Sequence, residues 1–219
     1  MSLTLYYHPL SSFCWKVLIA LYETEAAFAP HLVDLGNAEA RAAFLALWPI
    51  GKFPVLRDET RKSTVPESTI IIEYLAQHYP GRIALVPGDP DKARQARLQD
   101  RFYDLYLHMP MQQVVGDRLR PAGREDSYGV EKAKKQMRTS LDLIDADMAE
   151  KDWAMGEAFT LVDCAASPAL FYADKVVPFG DSHPNAMAYL ERLKQRPSFA
   201  RVLREAELYF HLFPRESRP

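Results

Sequence analysis

A stretch rich in proline and glycine divides this chain into two halves with different hydrophobic patterns. Residues 80–91 contain three prolines and two glycines, which interrupt helices and strands alike. Before this stretch, short apolar runs alternate with segments of helical periodicity; after it, the periodicity is helical almost throughout. We therefore predict two domains, residues 1–79 and residues 92–219, joined by a linker over residues 80–91.

The first half alternates strand-like and helix-like segments. Residues 3–7 form a short apolar run typical of a buried strand, and residues 13–22 repeat apolar side chains at helical spacing. Residues 28–34 and 38–47 continue the alternation, and two short strands and a helix follow them. The order strand, helix, strand, helix, strand, strand, helix predicts an α/β thioredoxin-like domain.

The second half is expected to be entirely α-helical. Residues 91–115 and 129–148 predict long helices. Pro110 should kink or split the first of them, because proline lacks the amide hydrogen that a helix interior needs. Thr160 and Asp163 have the spacing of a capping box, and the apolar residues after them predict a buried central helix. The fold class is thus a thioredoxin-like domain followed by an all-α helical domain.

Charge balance and cysteine usage exclude several classes of protein. Lys and Arg number 27 against 29 Asp and Glu, a formal net charge of -2, whereas nucleic-acid binding usually needs a basic excess. The two cysteines are far apart and form neither a metal-spaced cluster nor a disulfide framework. The sequence shows no secretory signal and no apolar run long enough to span a membrane. We expect a cytoplasmic protein with no metal site, nucleic-acid partner or membrane contact.

Two serines stand where the first strand gives way to the first helix. Thioredoxin-like redox proteins carry Cys-x-x-Cys at this place, but here Ser11 replaces the first cysteine and Cys14 keeps the second position. A serine cannot form a disulfide, yet its hydroxyl can donate to a bound thiolate, which the helix N-terminus also favours. The alternative interpretation is that Ser11 and Ser12 only cap the helix. We expect Cys14 to be a buried structural residue, with a reactive thiol as the alternative.

Two further segments have features of a peptide-binding site. Phe53-Pro54 opens a predicted strand after a glycine-containing loop, so it is a candidate cis peptide bond, although most such bonds are trans. A cis bond would leave the Phe53 backbone free to pair with an extended ligand. Ser68, expected to cap the next helix, could hold a carboxylate with the first free amides, and Glu67 could hold an ammonium group. The alternatives are an ordinary trans proline and a capped helix beside a solvated acid.

A stripe of aromatic and methionine side chains runs along the first predicted helix of the second half. Such a stripe usually belongs to the core, although methionine also adapts to ligands of varied shape. The stripe comprises Phe102, Tyr103, Tyr106, His108, Met109 and Met111. We expect Tyr103, Tyr106 and Met109 to line an apolar pocket.

Taken together, these motifs resemble the cytosolic glutathione transferase superfamily. The resemblance rests on residues 5–17 (LYYHPLSSFCWKV), 49–56 (PIGKFPVL) and 67–75 (ESTIIIEYL), followed by the capping box at residues 160–163. It covers nearly the whole chain, in the right order. It implies an enzyme that reacts the thiolate of glutathione, its co-substrate, with an apolar electrophile, as in detoxification, and a dimer of identical chains.

The resemblance also implies roles for individual residues. It makes Ser11 the thiolate-activating hydroxyl, as in the serine-type theta and zeta classes. It places Lys52 near the glycyl carboxylate, pairs the Phe53 backbone, before a cis Pro54, with the cysteinyl part, and assigns the γ-glutamyl head to Glu67 and Ser68.

Five alternatives stay open. Tyr7 stands near the place where the tyrosine-type classes carry their catalytic hydroxyl, and Ser12 adjoins Ser11. A maleylacetoacetate isomerase of the zeta class has Ser-Ser-Cys-Ser at the helix start, whereas this chain has Phe13 in third place. A module that binds glutathione or another ligand without turnover, or a thiol reductase using Cys14, would share the same fold.

Overall fold

The computed structural model describes residues 2–214, and its first domain is built on a four-stranded sheet with strand order β2-β1-β3-β4. The central strand β1 (Leu3–Tyr7) pairs in parallel with β2 (Phe28–Leu32) and antiparallel with β3 (Val55–Asp58). The edge strand β4 (Ser63–Pro66) is antiparallel to β3. This is a thioredoxin-like sheet, so the predicted fold class of the first half is confirmed.

Three helices complete the first domain: α1 (Ser12–Glu23), α2 (Ala38–Leu47) and α3 (Ser68–His78). Side chains before α1 and α2 accept hydrogen bonds from first-turn amides, as helix caps do. The sequence prediction that Ser68 caps α3 is wrong. Ser68 is the first helical residue, and Glu67 occupies the cap position without a side-chain hydrogen bond.

The second domain is helical, as predicted. Between the end of α3 and the start of α4 the chain forms neither helix nor strand. Two short 3₁₀ segments, Met148–Glu150 and Glu207–Leu212, follow α6 and α9. The helices are α4 (Pro90–Phe102), α5 (Met109–Asp117), α6 (Ser127–Asp147), α7 (Leu161–Asp174), α8 (Pro184–Gln195) and α9 (Pro197–Ala206).

The predicted long helix over residues 91–115 is divided by a π-helical segment, Tyr103–His108, between α4 and α5. Pro110 lies in the first turn of α5. Because a proline has no amide hydrogen, the carbonyl of Tyr106, four residues earlier, lacks its usual helical partner. The buried Ser140 hydroxyl of α6 donates to that carbonyl instead, at 2.8 Å. The irregular segment is thereby tied to the bundle.

A buried ionic cluster joins the two domains. Lys16 of α1, only 1% exposed, lies 2.6 Å from a carboxylate oxygen of Asp100 and 2.7 Å from one of Asp104. It also donates to the Thr69 hydroxyl at 2.9 Å, and that hydroxyl donates to Asp100 at 2.7 Å. Helices α1, α3 and α4 and the π-helical segment are held in register by this cluster.

The predicted capping box at the start of α7 is present. Asp163 accepts from the Thr160 amide at 2.8 Å, and Thr160 caps the helix in return. The same carboxylate accepts from the Ala154 amide and the Tyr189 hydroxyl. Burial raises the pKa of Asp163. Helix α7 packs against α1, so this box positions the second domain against the helix that begins at the serines.

Candidate active site

Two cavities adjoin at Phe53, which lines both. The Ser11 cavity, about 500 Å³, is bounded by the turn before α1, by α5, by α7 and by residues 212–214. The Ser68 cavity, about 470 Å³, is bounded by the loop before β3, by the start of α3 and by the π-helical segment. The Ser11 cavity is mainly apolar, whereas the Ser68 cavity carries charged side chains along its wall.

Ser11 lines the Ser11 cavity and caps α1. Its hydroxyl oxygen accepts from the Cys14 amide at 3.4 Å. A serine hydroxyl is both a donor and an acceptor, so Ser11 can accept that bond and still donate its proton to another group. Capping and donation to a bound thiolate are therefore compatible roles for the same side chain.

Ser12 also borders this cavity, but its proton is engaged. Its oxygen lies 2.6 Å from Nε2 of His108, and the amide nitrogen of Gln112 lies 3.2 Å from the same atom. An amide nitrogen can only donate, so we assign Nε2 as the acceptor and the Ser12 hydroxyl as its second donor. Burial, reinforced by nearby Lys16, lowers the pKa of His108 to about 3, which keeps the ring neutral.

Tyr7 is not among the residues that line either cavity. It is half-buried and packs against the main core. Burial raises the pKa of its hydroxyl, and the nearby Glu205 and Tyr209 add to the effect. Its surroundings therefore disfavour the ionised form and place it on the α9 side of the sheet.

Cys14 is fully buried one turn into α1. Burial raises the pKa of its thiol to about 12, which leaves almost no thiolate at neutral pH. The second cysteine, Cys164, is also buried and unpaired. These surroundings fit the structural role expected for Cys14 and offer no support for a thiol reductase.

The turn that carries Ser11 is held from both domains. The indole nitrogen of Trp15 donates to the Pro9 carbonyl, and the Tyr172 hydroxyl of α7 donates to the Leu10 carbonyl at 2.9 Å. The Ser11 amide closes the turn on the carbonyl of His8 at 3.0 Å. The position of the Ser11 hydroxyl is thus fixed by several independent bonds rather than by its helix alone.

The peptide bond between Phe53 and Pro54 is cis. Phe53 lies before the first residue of β3, and no backbone hydrogen bond within residues 2–214 uses its amide or carbonyl. Both groups are therefore available to an extended peptide ligand. Lys52 is exposed and lines the Ser68 cavity together with Phe53 and Pro54.

Glu67 and Ser68 meet at the N-terminus of α3, on the wall of the Ser68 cavity. Glu67 is exposed, and its φ of 70° is uncommon for a residue with a side chain. The helix begins immediately afterwards, and the Ile71 amide is the first to bond back, to the Glu67 carbonyl at 2.8 Å. The preceding amides and the positive end of the helix favour a carboxylate there, beside the Glu67 carboxylate.

Thr69, Arg101 and Asp104 also line the Ser68 cavity, although the sequence analysis did not single them out. Burial raises the pKa of Asp104, while Lys16 acts in the opposite direction. The signal in the sequence is a lysine inside an otherwise apolar helix, which requires buried carboxylates nearby. Which carboxylates would supply that pairing depends on tertiary structure.

The aromatic and methionine stripe is distributed differently from the expectation. Tyr103 is buried in the core at 3% exposure, and Tyr106 is exposed and lines neither cavity. Met109 lines the Ser68 cavity, and Met111 lines the Ser11 cavity. The π-helical segment adds a residue to the turn, so the faces after Tyr103 rotate away from those of a continuous α-helix. The placement gives no support to a pocket role for Tyr103 or Tyr106.

Within residues 2–214, no group of three or more His, Cys, Asp or Glu side chains is placed to hold a metal ion. In the same part of the chain, no helix has the length and apolar character needed to cross a bilayer.

Two family models match successive parts of the chain. The glutathione S-transferase N-terminal domain matches residues 5–83, and the glutathione S-transferase C-terminal domain matches residues 102–197. Together they cover most of the sequence, and they divide it between the sheet domain and the helical domain.

Curated relatives and solved structures agree with that match. Glutathione S-transferase GstB of Escherichia coli K12 is 25% identical over 86% of this chain and 91% of its own length. A maleylacetoacetate isomerase of Pseudomonas aeruginosa is 24% identical over 91% and 93%. A glutathione S-transferase of Methylobacillus flagellatus, solved with GSH bound, superposes with a TM-score of 0.84 at 26% identity, covering 92% of this chain and 98% of that one.

Proposed function

We propose how the site works in this chain, which belongs to the glutathione transferase superfamily and is a glutathione transferase. Glutathione is its co-substrate, and the second substrate is an electrophile. Our proposal assigns thiolate activation to Ser11 and so makes this a serine-type member. The observation that carries it is that Ser11 lines the cavity and accepts a hydrogen bond from the Cys14 amide, which leaves its hydroxyl able to donate.

Ser11 donates a hydrogen bond to the glutathione sulfur and stabilises the thiolate. A free thiol has a pKa of about 8.5, and a hydrogen bond to a charged group contributes about 1.5–3 kcal/mol. That energy corresponds to a fall of one to two pKa units, which raises the thiolate fraction near neutral pH. The N-terminus of α1 adds a positive electrostatic potential, which also lowers the pKa of the bound thiol. The Ser12 hydroxyl donates to His108, and Tyr7 lines neither cavity, so Ser11 is the better placed donor.

Glutathione lies across the junction of the two cavities. Its γ-glutamyl carboxylate binds Ser68 and the free amides of α3, and its ammonium group binds Glu67. The Phe53 backbone pairs with the cysteinyl residue, beside the cis bond to Pro54, and Lys52 faces the glycyl carboxylate. Phe53 borders both cavities, so this pose carries the sulfur from the charged region toward Ser11.

The electrophile occupies the apolar part of the Ser11 cavity. Its lining includes Leu10, Met111, Val115, Leu119 and Phe213. Of the three residues expected for this pocket, Tyr103 and Tyr106 are not part of our proposal, and Met109 belongs to the Ser68 cavity. Bringing an apolar carbon next to a positioned thiolate supplies proximity as well as nucleophilicity.

The chain forms a homodimer through α3, α4 and the π-helical segment in this proposal. Ile70, Leu98, Leu105 and Met109 are large apolar side chains, each between 46% and 66% exposed. Three of them border the Ser68 cavity, so a second copy on this face would cover glutathione. Analytical ultracentrifugation of Leu98→Glu should show a shift from dimer to monomer. We also propose a cytoplasmic location, which fits the two unpaired, buried cysteines.

The test of Ser11 is the variant Ser11→Ala with an aryl halide as electrophile. We expect kcat/KM at neutral pH to fall roughly tenfold to a hundredfold, the equivalent of the lost hydrogen bond. The change also removes a helix cap, so Asp89→Ala is the matched control, because Asp89 caps α4 through the Lys92 amide at 2.8 Å. Full activity in Ser11→Ala would contradict the assignment, and Tyr7→Phe would then be the next variant to measure.

Two other functions remain as candidates. Isomerisation of the maleylacetoacetate type is supported by the Pseudomonas aeruginosa relative, and it would use the same thiolate. Turnover of maleylacetoacetate without net consumption of glutathione would identify it. A binding module without turnover would bind glutathione but catalyse its reaction with none of the electrophile classes tested.

A further inference from the structure

His8 lines the Ser11 cavity and has no role in the function proposed above. It follows β1, is half-buried, and stacks on Phe53 with ring centroids 5.8 Å apart and planes 17° apart. The His8 ring therefore lies beside Phe53, the residue whose backbone we assign to the cysteinyl part of glutathione. The imidazole is therefore close to the place where the thiolate meets its partner.

The protonation of His8 follows from its hydrogen bond. The Leu10 amide donates to Nδ1 of His8 at 3.2 Å, so Nδ1 must be unprotonated. Burial lowers the pKa of His8, and the opposing effect of Asp34 does not reverse it. The ring is thus neutral with its proton on Nε2. Within residues 2–214, the hydrogen bond from the Leu10 amide to Nδ1 is the one that involves the His8 ring, and no residue accepts from its Nε2–H.

Most of the other side-chain polar hydrogens around this cavity are already in use. The Ser12 hydroxyl and one amide hydrogen of Gln112 go to His108, and the Tyr172 hydroxyl goes to the Leu10 carbonyl. Ser11 is assigned to the thiolate. Gln112 is exposed at the edge of the cavity, so among the described residues its second amide hydrogen is the one side-chain competitor. Most of the remaining lining is apolar.

We propose that the Nε2–H of His8 donates to an oxygen of the electrophile, so that the site favours α,β-unsaturated carbonyl compounds. This inference rests on the proposed function. The thiolate sulfur forms a bond to the β-carbon, and the electron pair of the carbon–carbon double bond moves to give an enolate. Water then protonates the α-carbon, replacing the proton that the thiol released, and nothing leaves. The hydrogen bond from His8 strengthens as charge builds on the enolate oxygen.

An alkyl halide provides the contrasting substrate. Its carbon also accepts the thiolate, but the departing halide places no charge on a carbonyl oxygen. His8 should therefore matter much more for an enone than for an alkyl halide. The measured quantity is the ratio of kcat/KM for an enone to kcat/KM for an alkyl iodide of similar size.

Two variants separate the donor from the structural roles of the ring. His8→Phe keeps the stack on Phe53 and loses both nitrogens. His8→Asn keeps an acceptor for the Leu10 amide, because asparagine accepts from the amide two residues later, but loses the donor at the Nε2 position. We expect the enone-to-iodide ratio to fall about tenfold or more in both variants, as for loss of one bond to a charged oxygen. The loss should appear in kcat, with KM nearly unchanged.

The remaining outcomes each decide against the inference. An unchanged enone-to-iodide ratio in either variant would overturn the inference, because a purely structural role of His8 would lower kcat/KM for both substrates together. If the enone-to-iodide ratio fell in Gln112→Met but not in the His8 variants, the donor would be Gln112 instead. Wild-type protein that binds glutathione but reacts with neither substrate would overturn the proposed function, and this inference with it.

Discussion

The Ser68 cavity and the Ser11 cavity are neighbours of similar size, yet they are built in different ways. The Ser68 cavity takes the groups that we assign to glutathione from two short segments, around the cis Pro54 and at the start of α3, while Arg101 and Asp104 add charge to its wall. The Ser11 cavity gathers side chains from the turn before α1, from α5, from α7 and from residues 212–214. In our proposal, short local segments bind the charged tripeptide, whereas the apolar electrophile meets a surface assembled from distant elements.

This difference makes the two regions separable by experiment. Changes at the Ser68 cavity should alter glutathione affinity, and changes at the Ser11 cavity should alter the reactivity of bound glutathione. The ionic cluster around Lys16 lies beneath both regions and should affect the stability of the whole chain.

The largest effect is expected from Lys16→Met. The substitution leaves Asp100 and Asp104 without their buried cation, and breaking one partner of a buried pair costs about 3–5 kcal/mol. Urea denaturation should show that loss as a lower midpoint with an unchanged slope. Lys194→Met is the control, since Lys194 pairs with Glu191 on the surface at 2.7 Å and should change stability little. Equal stability of Lys16→Met and wild type would mean that the cluster does not hold the domains together.

The next effect concerns the charged end of glutathione. Glu67→Gln and Ser68→Ala should each weaken glutathione binding about tenfold, the equivalent of one hydrogen bond to a charged group. The pKa of the bound thiol should stay unchanged in both variants. Isothermal titration calorimetry gives the affinity, and Glu73→Gln serves as control because Glu73 pairs with Arg97 at 2.8 Å, outside this cavity. An altered thiol pKa with unchanged affinity would reverse the roles of the two cavities.

A smaller effect should appear in the pH dependence of stability. His108 has a pKa lowered to about 3 by burial and by Lys16, whereas an unfolded histidine titrates near pH 6.5. Below that pH the unfolded chain binds the extra proton, so stability is complete above about pH 6.5 and falls as the pH is lowered. The slope is at most about 1.4 kcal/mol per pH unit for this one group.

His108→Gln should make the stability curve flatter between pH 7 and pH 5, measured by urea denaturation at each pH. His211→Gln is the control, because His211 is exposed and should leave the slope unchanged. A wild-type slope identical to that of His108→Gln would mean that His108 is protonated in the folded chain.

The fold and the glutathione region could be predicted largely from the sequence, because local patterns determine them. The spacing of Thr160 and Asp163 predicted a capping box that is present, and the loop before Pro54 suggested the cis bond that is observed. The prediction for Ser68 was wrong by one position, since Glu67 occupies the cap. The cap position depends on a backbone angle at Glu67 that its residue type does not indicate.

The apolar cavity was harder to predict. An uninterrupted helix places Tyr103 and Tyr106 on a pocket face, but the π-helical segment turns Tyr103 into the core and leaves Tyr106 exposed. Pro110 gave a correct signal of interruption without indicating its form. The wall formed by residues 212–214 is held by Arg118, which donates to the Pro214 carbonyl at 3.1 Å. A contact between residues so far apart in sequence is decided by tertiary packing.

The most direct test of the central claim is the pKa of glutathione bound to Ser11→Ala, followed through the ultraviolet absorbance of the thiolate during a pH titration. In the wild type this pKa should lie below the value of about 8.5 for a free thiol. Ser11→Ala should raise it by about one to two units, the loss expected for one hydrogen bond to the charged sulfur. Glutathione affinity, measured in parallel, should change little. A bound-thiol pKa that is the same in Ser11→Ala and wild type, but raised in Tyr7→Phe, would contradict the account.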